Sequence, residues 1–131
     1  MMNTFEGKTA LVTGSSRGIG RAAALKLASL GAKVIFHGTK PGEKLLSAVA
    51  EAGGDAQFLT ADFGNMDEVK KLADTLIKRE LVPDILVLNA SVQSYTGLGN
   101  FDSAEFLRMF RTNVESSCIL LNTLQIGRAH V

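Results

Sequence analysis

Tryptophan is absent from the 131 residues, and cysteine, tyrosine and proline are scarce, with one, one and two copies. The lone Cys118 excludes an internal disulfide framework and fits a reducing compartment. Neither sign of charge is in excess: 14 Lys and Arg against 13 Asp and Glu leave a formal net charge of +1. The charges form no run, so neither nucleic acid nor an acidic membrane surface is expected as a partner. No apolar stretch approaches the roughly 20 residues needed to cross a bilayer, and the opening residues lack the layout of a secretory signal. The expectation is a soluble cytoplasmic protein. The length suits one ordinary domain, and 46% hydrophobic with 21% charged residues is a globular composition.

What is present is alternation. Thr9 to Thr13 is a buried-strand candidate ending at Gly14. Ile19, Ala23, Leu27 and Leu30 then recur at helical spacing, with Gly31 placed to close the helix. Val34-Ile35-Phe36 is a second strand, and Leu45, Ala48, Val49 and Ala52 mark a second helix closed by Gly53-Gly54. Gln57 to Thr60 makes a third strand. Met66, Val69, Leu72, Ala73, Leu76 and Ile77 form the cleanest amphipathic stripe. Ile85-Leu86-Val87-Leu88 is a fourth strand, apolar on both faces. After a loop from Ser91 to Asn100, Phe106, Met109, Phe110, Val114, Ser117 and Leu121 outline a long last helix. Doubly apolar strands alternating with helices predict an α/β fold with a parallel sheet covered on both faces. Right-handed crossovers make four strands the 3-2-1-4 portion of a doubly wound sheet.

Between the first strand and first helix lies Thr13-Gly14-Ser15-Ser16-Arg17-Gly18-Ile19-Gly20. Gly14 permits a turn that a Cβ would obstruct, Gly18 lets the backbone approach a pyrophosphate, and Gly20 allows close helix-to-strand packing. The exposed N–H groups and helix dipole favour an anion. The plain alternative is that a glycine-rich connection is only a turn; its position after the first buried strand favours a phosphate site. No Gly-Lys-Ser/Thr occurs here, which excludes a P-loop.

The spacing Gly-x-x-x-Gly-x-Gly, preceded by Thr13, resembles the signature of the short-chain dehydrogenase/reductase family. The likeness continues along nearly the whole chain. Phe5 to Gly14 resembles the family's opening strand. Ala61-Asp62-Phe63 resembles the site where a family aspartate meets the adenine amino group. Asp84 to Ser91 resembles strand four and its Asn-Asn-Ala-Gly motif, with Leu88 in place of the first Asn and Ser91 in place of the Gly. Arg111-Thr112-Asn113-Val114 resembles the helix segment that bears an active-site asparagine.

This resemblance implies a Rossmann-type sheet, incomplete at about four strands. It implies cofactor binding by Gly14, Ser15, Ser16, Arg17, Gly18, Ile19 and Gly20. Gly38, Thr39 and Lys40 after strand two, Asp62 and Phe63 after strand three, and Asn89, Ala90 and Ser91 after strand four complete the implied set. Strand two ends His37-Gly38-Thr39-Lys40 with no acid to repel a 2′-phosphate, and Arg17 is a cation within reach of one. NADP(H) is therefore favoured over NAD(H).

The family's chemistry uses Ser, a Tyr-x-x-x-Lys pair and Asn, of which this chain offers only Asn113. Tyr95 is followed four residues later by Gly99 and precedes the last helix, so it reads as a loop residue near the substrate mouth. His37 and His130 lack a metal-ligand pattern, and Cys118 reads as a small packed side chain. Asp62 has a rival role as N-cap of the third helix, which Asn65 or Asp67 could also fill.

Residues 1–125 are thus expected to be the dinucleotide-binding portion of one domain, in a chain cut before its catalytic Tyr and Lys. Residues 126–131, Ile-Gly-Arg-Ala-His-Val, abandon the apolar stripe and fit an in-frame reading of a sequencing adapter. They are expected to be a non-native tail. The opening is similar to that of 3-oxoacyl-carrier-protein reductases, in cofactor-binding segments shared across many activities, and the family resemblance implies an oxidoreductase acting on a small-molecule carbonyl or alcohol. It also implies a homo-oligomer joined through the last helix. A non-catalytic NADP(H)-binding sensor or scaffold is the alternative, and an interaction protein built on the same fold is a third.

Overall fold

The computed structural model describes residues 4–125. The expected non-native tail, 126–131, lies outside the described residues, and His130 with it. Strand β1 (Thr9–Val12) leads through the glycine-rich turn to α1 (Gly18–Ser29). β2 (Lys33–Gly38), α2 (Glu43–Ala52), β3 (Gln57–Thr60), α3 (Met66–Lys78) and β4 (Ile85–Val87) follow. A helical rod completes the described part: α4 (Ser103–Phe110), a π turn (Arg111–Glu115) and α5 (Ser116–Leu124). No helix among the described residues is long and apolar enough to cross a membrane.

All pairings are parallel and the strand order is β3-β2-β1-β4, as expected. Successive side chains of a strand point to opposite faces, so the two central strands split their apolar residues between two layers. Leu11 and Ile35 face α3 and α5, where Val69, Leu72, Ala73, Leu76, Leu120 and Leu124 close over them. Ala10, Val12, Val34 and Phe36 face α1 and α2, meeting Ala24, Leu45 and Ala48. Each large aliphatic residue so buried contributes about 1.5–3 kcal/mol. Crossover helices on both faces require both faces to be apolar, and that is why these strands do not alternate with polar residues.

Several expectations fail in detail. The long last helix contains a π turn, and its buried side is Thr112, Ser116, Leu120 and Leu124. Phe106, Phe110, Val114 and Leu121 of the expected stripe are instead exposed. A π turn adds a residue to the helical repeat, which rotates α5 relative to α4 and carries an extrapolated stripe off the core. The buried side also holds small hydroxyls, whose apolar score is low. Ser116 satisfies its own by donating to Thr112 O at 2.6 Å.

Cys118 lies on the outer side of α5 and is exposed, not packed. Ile77, at the margin of the α3 stripe, is likewise exposed, as is Leu88, which falls beyond the end of β4. The α1 stripe begins wrongly. Ile19 is 82% exposed, while Gly20 and Ala24 form the buried contact.

Candidate functional site

The C-terminal ends of the four strands meet where the connections diverge, α1 and α2 to one face, α3 and α5 to the other. In open parallel sheets this switch point is where ligands settle. A groove of about 390 Å³ lies there.

Its floor is the glycine-rich turn. Gly14 has φ +63°, and a Cβ added to it would stand 2.8 Å from Ala90 Cα. A Cβ on Gly20 would collide with Gly14 O and stand 2.5 Å from Asn89 Nδ2, so α1 approaches the strand ends only because that residue is glycine. Gly18 differs. Its φ is +61°, yet a Cβ there would meet nothing within 4 Å. The three glycines thus serve a turn with close approach, an open face, and helix-to-strand contact. The first turn of α1 has no side-chain cap and contains no acid. Its N–H groups therefore remain free of side-chain acceptors and offer a site for an anion. These features fit a dinucleotide pyrophosphate.

Thr13 and Asn89 join the turn to the end of β4. Thr13 Oγ1 accepts the N–H groups of Asn89 and Ala90 at 2.9 and 3.0 Å. Asn89 Nδ2 donates to Gly14 O at 3.1 Å and, more weakly, to Thr13 O at 3.3 Å. Ser15 turns inward. Its hydroxyl donates to Val12 O at 2.8 Å and accepts from His37 N at 2.9 Å.

His37, which lacks a metal-ligand pattern and has no other expected role, is the main junction of this end of the sheet. Its Nδ1 accepts the Gly14 N–H at 3.0 Å, and its Nε2 bonds Ala61 O at 2.9 Å. A backbone N–H only donates and a carbonyl only accepts, so the ring is the neutral Nε2–H tautomer. Phe63 stacks on it with centroids 4.0 Å apart. Burial pulls the imidazole below its ordinary value, against the opposing effect of the Ala61 hydrogen bond. The available signal was a titratable residue directly after Val34-Ile35-Phe36, in a strand otherwise committed to the interior.

Of the expected binding residues, Gly14, Ser16, Arg17, Gly18, Ile19, Gly38 and Thr39 line the groove, as do Asp62, Phe63, Asn89, Ala90 and Ser91. Ser15, Gly20 and Lys40 do not line it; the first two shape the turn behind it, and Lys40 lies exposed beyond Thr39. Neither Arg17 nor Lys40 pairs with an acid among the described residues, whereas Arg21 pairs with Glu51. Asp62 Oδ1 accepts the Gly64 N–H at 2.8 Å, and the N-cap of α3 is Asn65, which resolves the rival role of Asp62. Val92, Arg108 and Thr112 also line the groove and were not anticipated.

Asn113 sits in the π turn and does not line the groove. Its Oδ1 accepts the Val92 N–H at 2.8 Å while its Nδ2 donates to Val92 O at 2.9 Å. Tyr95 is 91% exposed and donates to Gln93 Oε1. No group of three or more His, Cys, Asp or Glu among the described residues is placed to hold a metal ion.

The family model described as short chain dehydrogenase matches residues 8–125. The chain belongs to the short chain dehydrogenase family. Among curated relatives, it is 42% identical over 115 residues to the short chain dehydrogenase mdpC of Emericella nidulans, covering 86% of this chain and 43% of that protein. It is 38% identical over 112 residues to the versicolorin reductase stcU of the same organism, covering 83% of this chain and 42% of that one. Among solved structures, the 3-oxoacyl-(acyl-carrier-protein) reductase of Agrobacterium tumefaciens C58 with NADP bound superposes with a TM-score of 0.84 at 36% identity. That match covers 94% of this chain and 48% of the other. A metagenomic short-chain oxidoreductase in complex with NADP gives 0.84 at 34% identity, covering 91% and 55%. The chain spans less than half the length of the curated relatives it matches.

Proposed function

We propose that the chain is the dinucleotide-binding portion of an NADP(H)-dependent oxidoreductase acting on a small carbonyl or alcohol. The observation that carries this reading is the turn from Gly14 to Gly20, with an open face at Gly18 beside an uncapped helix start at the switch point of the sheet. Bound nicotinamide supplies the hydride, delivered from or to its C4. The chain's residues bind and orient. The N–H groups of the turn and of α1 hold the pyrophosphate. Arg17, with Thr39 and Lys40, takes the 2′-phosphate, since no acid follows β2 before Glu43. Asp62 and Phe63 border the adenine, and Asn89, Ala90 and Ser91 border the nicotinamide ribose.

Asn113 acts by holding the loop after β4 in place. The Tyr that moves the proton at the substrate oxygen in this family, and the Ser and Lys that work with it, fall outside the described residues on this reading, and the 131-residue chain alone is inactive. The exposed residues Phe106, Phe110, Val114 and Leu121 support a homo-oligomer assembled through the last helix.

Calorimetric titration of the full-length protein with NADPH and NADH tests the reading. Binding of both, tighter for NADPH, is expected; binding of neither overturns it. The engagement of Asn113 with Val92 and the exposure of Tyr95 favour one second reading, a dinucleotide sensor without turnover. A Tyr-x-x-x-Lys downstream in the full-length protein, together with ketone-dependent NADPH oxidation, decides against the sensor.

A further inference from the structure

We propose that His37 is a positioning residue for the dinucleotide site, competent only as its neutral Nε2–H tautomer, so that protonation of the ring releases the glycine-rich turn and weakens dinucleotide binding. The proposal rests on the dinucleotide reading of the groove. Its basis is connectivity. His37 is 2% exposed and ties β2 to two other segments, the glycine-rich turn and the residue after β3. Its Nδ1 accepts from Gly14 at 3.0 Å, its carbonyl accepts the Ser15 N–H at 2.8 Å, its own N–H donates to Ser15 Oγ at 2.9 Å, and its Nε2 bonds Ala61 O at 2.9 Å.

A protonated ring carries N–H on both nitrogens. Nδ1–H would then face the Gly14 N–H donor to donor, leaving a backbone donor without its acceptor at the one glycine whose conformation starts the turn. The charged side chains lining the same groove are Arg17 from the turn, Asp62 after β3 and Arg108 from α4. Lys40 lies exposed beyond β2. None of them bonds the ring; the two cations oppose a proton on it, and Asp62 is the one acid of the groove that favours it.

The test is Kd for NAD+ and NADP+ on the full-length wild type, His37→Asn and His37→Leu, from about pH 8 to about pH 5. NAD+ has no 2′-phosphate to titrate in that range. If only the neutral ring binds, the wild-type Kd for NAD+ rises by up to about tenfold per pH unit below the ring's midpoint. Asn places Oδ1 on the same carbon that carries Nδ1, keeping an acceptor for Gly14 that does not titrate, and its NAD+ profile is flat. Leu offers no acceptor, and its affinity is low throughout. An equal acid loss in His37→Asn, or tighter wild-type binding in acid, overturns the proposal.

Selective 15N-histidine NMR of the free protein supplies a readout independent of the dinucleotide. An Nε2–H ring is expected, and an Nδ1–H ring overturns the proposal. Absence of binding at about pH 8 overturns the dinucleotide reading and this inference with it, a result distinct from binding without acid loss.

Discussion

Asn113 and Val92 exchange two hydrogen bonds, Val92 N–H to Asn113 Oδ1 at 2.8 Å and Asn113 Nδ2–H to Val92 O at 2.9 Å. A side-chain amide here imitates one rung of a sheet, fastening the loop after β4 to the helix that crosses it. The π turn makes this possible, because widening the helix at Arg111–Glu115 re-aims the side chains of that segment. The loop so held includes Ala90 and Ser91, both on the groove wall.

Asn113→Ala should therefore loosen the loop without unfolding the sheet. Two net hydrogen bonds at an exposed site are worth about 1–2 kcal/mol together. The measurement is hydrogen exchange at the Val92 amide, with Tm beside it. Faster exchange at Val92 and a small drop in Tm are expected. Unchanged protection would show that the pair does not hold the loop.

The glycines of the turn should separate by what a side chain meets. Gly18→Val adds atoms to open space, at the strain of about 1–2 kcal/mol for a left-handed backbone, and should leave a folded protein that has lost dinucleotide affinity. Gly14→Val carries the same strain plus a collision with Ala90, about 1–3 kcal/mol more. Calorimetry and thermal melts read the two effects. Wild-type affinity in folded Gly18→Val would show that no ligand approaches that face.

Strand order and the glycine turn were legible because they rest on short-range patterns. Apolar runs, helical spacing and a Gly at the right joint each report local geometry, as Gly31 does with its φ of +98° at the end of α1. The same left-handed position after α3 is taken by Glu80, at φ +56°, and no residue type announced it. His37 escaped for a related reason. Its partners, Gly14 and Ala61, are 23 and 24 residues away in sequence, and hydrogen bonds across strands leave no periodic trace. The last helix was misread where its period changes, at the π turn, because spacing arguments assume a constant repeat.

Cofactor preference should follow Arg17. A charge-assisted hydrogen bond to phosphate is worth about 1.5–3 kcal/mol, so Arg17→Ala should lose about tenfold to a hundredfold in kcat/KM with NADPH. The value with NADH should change little, since NADH lacks the 2′-phosphate. Kinetics of the full-length protein with both cofactors measure the ratio. A wild-type preference for NADH rejects the assignment of the 2′-phosphate site, and an unchanged ratio in the variant removes Arg17 from it.

Stability should fall in acid through His37. Burial lowers its folded value below the ordinary 6.5, so above 6.5 the ring is neutral in both states and its full contribution is present. As pH falls below 6.5 the unfolded chain takes up a proton that the folded one resists, and stability declines until the lowered folded value is passed. Urea melts at stepped pH should show this decline in the wild type and a smaller one in His37→Asn. Parallel slopes would assign the acid loss to other groups.

The 131-residue chain expressed alone should associate and should not turn over substrate. β4 is an edge of the four-stranded sheet, and its outer row of N–H and C=O groups has no partner strand among the described residues. Ile85, Leu86 and Val87 are only half-buried there, which makes an apolar edge open to pairing with another chain. Phe101, Phe106, Phe110, Val114 and Leu121 are exposed along the helical rod and the loop before it, and Phe106 sits within 6.4 Å, centroid to centroid, of both other rings. Contiguous exposed apolar surface of this kind drives association in water. Light scattering and sedimentation of the isolated chain, beside the full-length protein, measure the first claim. A monomer that melts cooperatively would refute it. Inactivity has a separate cause. Asn113 is engaged with Val92 and Tyr95 stands in solvent, so neither offers a positioned acid to a carbonyl oxygen. NADPH oxidation across a panel of ketones measures the second claim, and turnover above background by the isolated chain would place the proton donor within these residues after all.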